Sequence, residues 1–303
     1  MGAVVADIRP ERSVSVLTVL APAKLNLTLE VLGKRPDDYH EIRSVIQAIN
    51  LCDQLSFQSA EDIEFRCDLP GWVAQESLVS RVVGLLREVT GGTQGAAVSI
   101  VKSIPLVSGL GGDSSDAAAM LRGLNKLWEL GLSREVLLEL AGRLGSDVAF
   151  FLYGGTALAE GRGEIITSLP PLPRMWVVLA VPPVSRMPGK TGQLYASLDA
   201  GHYTDGQITE RLLNVLREDR AFDASLLFNA FENVAFTRFS ALRVSRDHMV
   251  KIGALDVHLA GSGPALFVLF RERGPAEELY LRLKSQRLEL YIAETVDCLE
   301  DIV

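Results

Sequence analysis

The fifteen residues Pro105–Ala119, PLVSGLGGDSSDAAA, gather the groups that hold phosphate. Gly109, Gly111 and Gly112 run into two hydroxyls, Ser114 and Ser115, then a carboxylate, Asp116, and then good helix formers. Glycine lets the backbone take positive φ and approach a ligand closely. The first turn of the helix that follows presents N–H groups with no intrahelical partner and the positive end of its dipole. Both suit an anion, so the pattern points to polyphosphate binding by Pro105, Val107, Ser108, Gly109, Leu110, Gly111, Gly112, Asp113, Ser114 and Ser115. A plain glycine turn capped by Asp116 is the alternative reading of the same residues. Neither common nucleotide fingerprint fits. G-x-G-x-x-G fails on spacing, and Gly189-Lys190-Thr191 has Val184 where a P-loop needs its first glycine.

Three other places set polar groups in apolar surroundings. Lys24 lies in Ala21-Pro22-Ala23-Lys24-Leu25-Asn26 at the head of a strand, where a snorkelling lysine is the simplest reading. Asp147 follows Gly145-Ser146 and precedes Val148-Ala149-Phe150-Phe151, a position that a helix N-cap also explains. Gly261-Ser262-Gly263-Pro264 is a second glycine turn. None of the three identifies a reaction alone.

The elements that must position them follow from periodicity. Alternation predicts strands over 14–20, 25–32, 42–51, 55–57, 63–65 and 97–100, with a turn at Arg35-Pro36-Asp37-Asp38. Helical spacing predicts helices over 77–89 and 117–130, and a third that Ser133 caps and Gly145 stops. Strands 156–159 and 165–167 flank Gly161-Arg162-Gly163 as a hairpin, and the prolines of 169–173 suit a connector. Beyond it the pattern gives a buried strand over 176–181 and helices over 208–216, 223–235 and 239–252. Strands 257–259 and 266–270 follow, then a helix over 276–286 and a strand over 291–296. Residues 1–13 read as a loose arm. Mixed order of this kind predicts α+β architecture in two domains rather than a doubly wound parallel sheet.

Composition narrows the partners. With 303 residues, 48% apolar and 22% charged, the chain has the make-up of a soluble globular protein of two ordinary domains. A net charge of −8 argues against nucleic acid, whose backbone wants basic patches, yet leaves room for an anionic small ligand at a local positive site. Cys52, Cys67 and Cys298 lack metal spacing and read as thiols of a reducing compartment. No run of 18 apolar residues predicts a membrane span. The opening MGAVVADIRPERS has no basic-then-apolar order, and Ala6 stands where myristoylation wants Ser or Thr, so a cytoplasmic location is expected.

Five segments in this order, APAKLNLTL (21–29), RPDDYHEI (35–42), PLVSGLGGDSSDAA (105–118), GSDVAFF (145–151) and HLAGSGPALFVLF (258–270), resemble the GHMP kinases, ATP-dependent kinases of small molecules. The likeness runs from about Val14 to the C-terminus. The central loop marks the superfamily. Ala-Lys-Leu-Asn and Asp-Tyr-His-Glu point to its members that phosphorylate a cytidine-diphosphate-linked methylerythritol in the non-mevalonate route to isoprenoid precursors.

The resemblance implies a fold, an activity and a set of roles. The fold is a two-domain α+β one, a ribosomal-protein-like N-terminal domain over 1–170 and a ferredoxin-like C-terminal domain over 171–303, with the cleft between them. The activity is transfer of phosphate from ATP, with Mg²⁺, to the tertiary 2-hydroxyl of the substrate, by a monomer or weak homodimer with no nucleic-acid or membrane partner and no dedicated protein metal site. Asp147 becomes the acid/base residue, Lys24 its companion, and the loop amides of 109–115 the nucleotide-phosphate cradle. A hydroxyl of Ser114 or Ser115 becomes the candidate ligand of Mg²⁺ or phosphate. Asn26 becomes a substrate contact, and Tyr39 and His40 face the cytosine. Thr191 and Tyr195 close over the cytidine, and Gly261 and Ser262 supply backbone near the transfer site. As a bare residue, His40 reads as an exposed loop histidine.

Two positions depart from the family pattern. Asp38 replaces a turn glycine, which Asp tolerates at positive φ. Asp113 replaces a phosphate-loop glycine, and its carboxylate must either point away from a triphosphate or help hold Mg²⁺. Mevalonate, phosphomevalonate and homoserine kinases would lack Tyr39-His40 in this context. A non-catalytic sensor would have no need of both Lys24 and Asp147. An interaction protein would leave the motif set unexplained.

Overall fold

The computed structural model describes residues 16–183, 189–218, 220–286 and 288–299. The arm expected over 1–13, and the start of the strand expected from Val14, lie outside them. The first half is built on β1 (Leu17–Asn26), β2 (Thr28–Lys34), β3 (His40–Ala60), β4 (Ile63–Cys67) and β5 (Gly95–Val101). The hairpin β6 (Thr156–Gly161) and β7 (Ile165–Ser168) joins the same sheet. The segments expected at 42–51 and 55–57 are one strand, β3. It runs on because successive stretches of it pair with β2, β6, β1 and β5, so no stretch lacks a partner. Likewise β1 continues through Pro22, where its register against β3 shifts; proline inside a sheet is accommodated at such a bulge.

Four helices cover one face of this sheet: α1 (Leu78–Thr90), α2 (Gly112–Leu127), α3 (Arg134–Leu144) and α4 (Phe150–Tyr153). Ser77 caps α1 by accepting from Val79 N, Ser133 caps α3, and Gly145 ends α3 as expected. Expected from Ala117, α2 instead begins at Gly112, so the loop's own Gly112–Ser115 form its first turn. Its alanines 117–119 with Met120, Leu121 and Leu124 pack with Phe57, Ala21 and Ile46 of the sheet, joining loop and strands in one core.

The second half contains β8 (Trp176–Val181), β9 (Phe228–Asn229), β10 (His258–Leu259), β11 (Leu266–Phe270) and β12 (Glu289–Glu294). A four-stranded antiparallel sheet runs in the order β10-β11-β8-β12. Around it lie α5 (Lys190–Tyr195), α6 (Gln207–Arg217), α7 (Glu232–Arg238), α8 (Ser240–Lys251) and α9 (Arg273–Leu283). The helix expected over 223–235 is a short 3-10 turn (Ala224–Leu226), then β9, then α7. Two contacts draw the chain out of a helix there. Phe228 N and Ala230 N donate to Leu27 O and Leu29 O, adding β9 to the edge of β2, and Asn229 is spent on the 259–261 loop.

Both halves share apolar core. Ala23, Leu25, Leu27 and Val45 of the first sheet pack in one cluster with Val177, Leu179 and Phe267 of the second and Leu212 and Leu213 of α6. The buried Glu30 carboxylate accepts from Thr209 N at 2.6 Å at the start of α6, and Thr295 bridges to Ile49 as the chain returns to the first sheet. No described helix is long and apolar enough to cross a membrane.

Candidate active site

A cleft of about 1270 Å³ opens where the phosphate-loop segment, the head of α2, the 146–147 turn, the 39–40 turn, α5 and the 261–262 turn converge. Of the residues singled out from the sequence, Lys24, Asn26, Tyr39, His40, Pro105, Val107, Ser108, Gly109, Gly111, Gly112, Asp113, Ser114, Asp147, Thr191, Tyr195, Gly261 and Ser262 all line it. Leu110 and Ser115 do not. Leu110 is a core residue, and Ser115 is fully buried on α2 with a hydroxyl that has no hydrogen-bond partner among the described residues. Between the two serines, Ser114 is therefore the one that presents a hydroxyl to the cleft.

Two residues far apart in the chain meet at its centre. Lys24 Nζ lies 3.4 Å from Asp147 Oδ2, the lysine side chain 6% exposed and the aspartate 38%. The ammonium also donates to Asn26 Oδ1 at 2.6 Å, while Asn26 Nδ2 donates to Ser44 Oγ at 2.8 Å, so both side chains of β1 are oriented from behind. Past the Pro22 bulge, Lys24 N donates to Leu110 O at 2.9 Å, fixing the strand to the phosphate loop through backbone. Asp147 is no helix cap. The N-cap position of α4 is Ala149, with no side-chain cap, and the carboxylate faces Lys24 and the cleft.

Glycine is required where the loops close up. Gly109 has φ +89°, and a Cβ there would overlap the Ala260 carbonyl oxygen and lie 2.8 Å from Gly263 N. Gly261, at φ +51°, would place a Cβ 3.2 Å from Lys24 Nζ and 3.0 Å from Gly109 O. The 261–263 turn thus packs against both the phosphate loop and Lys24. Ala265 N donates to Ser108 O, and Asn229 Nδ2 donates to Leu259 O and Gly261 O, which holds that turn in place.

Asp113 resolves its own dilemma. Its carboxylate accepts from Ser77 Oγ and, at 3.3 Å, from Leu78 N, at the head of α1. It is turned toward another helix's unpaired amides and dipole, which offsets its charge near a triphosphate.

Beneath the loop, Lys102 is buried between Asp53 and Asp116, donating to both. Asp53 Oδ1 also accepts from Ser103 N at 2.6 Å and Ile104 N at 2.8 Å, tying down the start of the loop. Burial pushes the Asp116 carboxyl up to about 8 against the pull of Lys102, while the Asp53 charge adds to the rise. One cation faces two buried carboxylates, and Asp116, whose Oδ1 has no partner among the described residues, is the one that burial disfavours as an anion.

The far end of the cleft is aromatic. The His40 ring stacks on Tyr195 at 4.7 Å between centroids and 17° between planes, with Tyr203 edge-on at 6.1 Å and Phe231 edge-on to Tyr195 at 4.8 Å. Burial, aided by the Lys34 ammonium, lowers the His40 pKa, so at neutral pH the imidazole offers one donor and one acceptor. The turn that carries it survives the loss of glycine. Asp38 takes φ +65°, and Lys34 Nζ meets its carboxylate at 2.8 Å. Tyr39 is exposed, with the Arg162 guanidinium 4.7 Å above its ring. Arg162, Tyr203, Phe231, Trp72 and Val73 also line the cleft and were not singled out from the sequence. Only the glycines around Arg162 mark a turn there, and nothing local says that the hairpin tip faces a ligand.

A glycine loop leading into a helix N-terminus, a lysine–aspartate pair and an aromatic pocket share this one cleft. The GHMP kinases N-terminal domain family matches residues 77–155 and the GHMP kinases C-terminal family residues 210–289, and the chain belongs to the GHMP kinases. Its relatives locate it within that group, among the 4-diphosphocytidyl-2-C-methyl-D-erythritol kinases. The enzyme of that name from Dehalococcoides mccartyi is 48% identical over 284 residues, covering 94% of this chain and all of that one. The one from Geobacillus kaustophilus is 40% identical over 89% of this chain and 93% of its own. A crystal structure of 4-(cytidine 5'-diphospho)-2C-methyl-D-erythritol kinase superposes with a TM-score of 0.78 at 31% identity, covering 92% of this chain and 99% of that one.

Proposed function

We propose that this chain transfers the γ-phosphoryl group of ATP to the 2-hydroxyl of 4-diphosphocytidyl-2-C-methyl-D-erythritol, a step of the non-mevalonate route to isoprenoid precursors. The observation that carries the reading is the Lys24–Asp147 pair at 3.4 Å, lying in one cleft with a glycine cradle and an aromatic pocket. The amides of Gly112, Asp113 and Ser114 in the first turn of α2 have no intrahelical acceptor and hold the nucleotide phosphates. Asp147 accepts the proton of the substrate hydroxyl as its oxygen attacks the γ-phosphorus and the bond from that phosphorus to the β-phosphate oxygen breaks, releasing ADP. A positioned base of this kind contributes about 10²–10⁴ in rate. Lys24, held by Asn26, sets positive charge beside the transferring group and offsets the charge spread over its oxygens.

The residues at the head of α2 fit a nucleotide-borne Mg²⁺, which takes one or two protein oxygens beside phosphates and waters. Ser114 lines that part of the cleft and would be the protein ligand, the Asp113 carboxylate being turned to Ser77 Oγ and Leu78 N. When bound, such an ion would offset negative charge on the nucleotide phosphates.

At the other end, Tyr39, His40 and Tyr195 receive the cytosine: rings for stacking, a neutral imidazole for the polar edge. Thr191, Gly261 and Ser262 line the path between base and reacting hydroxyl. Division of the chain near 170/171, N-terminal part for nucleotide phosphates and C-terminal part for the substrate wall, belongs to the same proposal.

The test is direct. Protein, ATP and Mg²⁺ are mixed with the cytidine-diphosphate-linked alcohol, mevalonate or homoserine, and phosphorylated product is followed by mass. Product from the first acceptor alone supports the reading, and product from either of the others overturns it. His40→Ala should raise KM for the cytidylyl substrate more than it lowers kcat, and weaken discrimination between cytidine and uridine analogues.

A further inference from the structure

We propose that Lys190 is a positioning residue for phosphoryl transfer: its buried ammonium binds the nucleotide loop, the 260–265 loop and the helix carrying Thr191 and Tyr195 into one unit, and so fixes the spacing between the two substrates. The proposal rests on the kinase reading above.

Lys190 opens α5 and is 8% exposed. Its Nζ donates to Val107 O at 3.2 Å and to Gly263 O, carbonyls of two different loops. No ion pair to it is present among the described residues, so backbone oxygens alone hold the cation. Such an arrangement is a liability for the fold, because a buried ammonium without a counter-charge gives up its hydration for little in return. Burial accordingly lowers its pKa to about 8. An apolar side chain of similar length would fill the same space without that cost.

What the ammonium supplies is position. Val107 sits at φ +56°, a left-handed conformation that a β-branched residue adopts only when its surroundings impose it. The Lys190 bond to the Val107 carbonyl is one such constraint, and Val107 is two residues from Gly109. The bond to Gly263 O fastens the turn that packs on Lys24. One residue along α5, Thr191 Oγ1 meets Ser262 Oγ at 2.8 Å, and one turn further on Tyr195 stacks on His40. Donor and acceptor subsites are thus linked through a single side chain. A misplacement of about 1 Å between bound reactants costs on the order of 10² in rate.

The experiment compares wild type with Lys190→Met and Lys190→Arg. For each, kcat and KM for ATP and the cytidylyl alcohol are measured, with thermal unfolding and calorimetric binding of ADP alone and of CDP alone. Lys190→Met should lose about tenfold to a hundredfold in kcat while binding ADP and CDP each within about threefold of wild type. Its unfolding temperature should stay near the wild-type value, and Lys190→Arg, which keeps donors and charge, should recover part of the turnover.

A Lys190→Met enzyme with kcat within about twofold of wild type overturns the proposal. So does a loss that vanishes at temperatures where the variant is fully folded, or failure of both variants to fold, since either makes the residue structural. Wild type that binds ADP and CDP but transfers nothing to the cytidylyl alcohol would instead overturn the functional reading.

Discussion

Gly109→Ala tests the packing of the two glycine loops, because the new methyl group has nowhere to go. At φ +89° a Cβ overlaps the backbone oxygen of Ala260, and neither group is the end of a flexible side chain. Carbon and oxygen pack no closer than about 3 Å, so relieving the overlap parts the loops by about 1 Å. The 260–263 turn touches Lys24 and Asn26 on one side and Lys190 on the other, and Leu110 O anchors Lys24 N. Both ends of the reaction geometry therefore shift, which predicts a loss of about 10² in kcat. Holding an alanine at positive φ adds about 1–2 kcal/mol of destabilisation.

Gly131→Ala separates the two effects. Gly131 has φ +63°, a Cβ added there would meet nothing within 4 Å, and the residue does not line the cleft. The substitution should lower thermal stability comparably and leave turnover intact. ADP release under saturating substrates, measured beside unfolding curves, reads both quantities. A Gly109→Ala enzyme that turns over within about threefold of wild type would refute the reasoning, since the loops would then tolerate separation.

Other outcomes follow from individual contacts. Asp113→Ala removes the acceptor from Ser77 Oγ and Leu78 N and should cost about 1 kcal/mol of stability without raising KM for ATP. A tenfold rise in that KM, about 1.4 kcal/mol, would assign the carboxylate to the nucleotide's Mg²⁺ instead. Asp116→Asn removes a carboxyl whose folded pKa is raised to about 8. A raised acid contributes stability at low pH that is lost as pH climbs from the unfolded toward the folded pKa, so the variant should gain on wild type between about pH 4 and pH 8. Urea midpoints that run parallel for the two proteins across that range would contradict the charge assignment in the Asp53–Lys102–Asp116 cluster.

Much of the site was legible because its chemistry is local in sequence. The glycines, serines and following helix of 109–127 mark, within one segment, a loop and helix N-terminus suited to phosphate, and helix boundaries at Ser133 and Gly145 are set by their own caps. Lys24 and Asp147 became a pair only through family resemblance; alone, each had a sufficient structural explanation. What sequence hid was long-range. Asp113 is satisfied by residues 36 positions upstream, so nothing adjacent reveals which way it turns. The extent of β3 depends on four different partners, and the apparent helix over 223–235 gives way to β9 because Leu27 and Leu29 offer it carbonyls. Lys190, in a tripeptide that only fails as a P-loop, gains its meaning from Val107 and Gly263, 83 and 73 residues away.

The central claim is that the Lys24 ammonium and the Asp147 carboxylate act together beside the phosphate loop, and Asp147→Asn tests it most directly. The substitution keeps size and shape while removing the proton acceptor. Single-turnover transfer to the cytidylyl alcohol should fall by about 10²–10⁴, with ATP affinity within about threefold of wild type. Transfer at the wild-type rate by a folded, ATP-binding variant would contradict it.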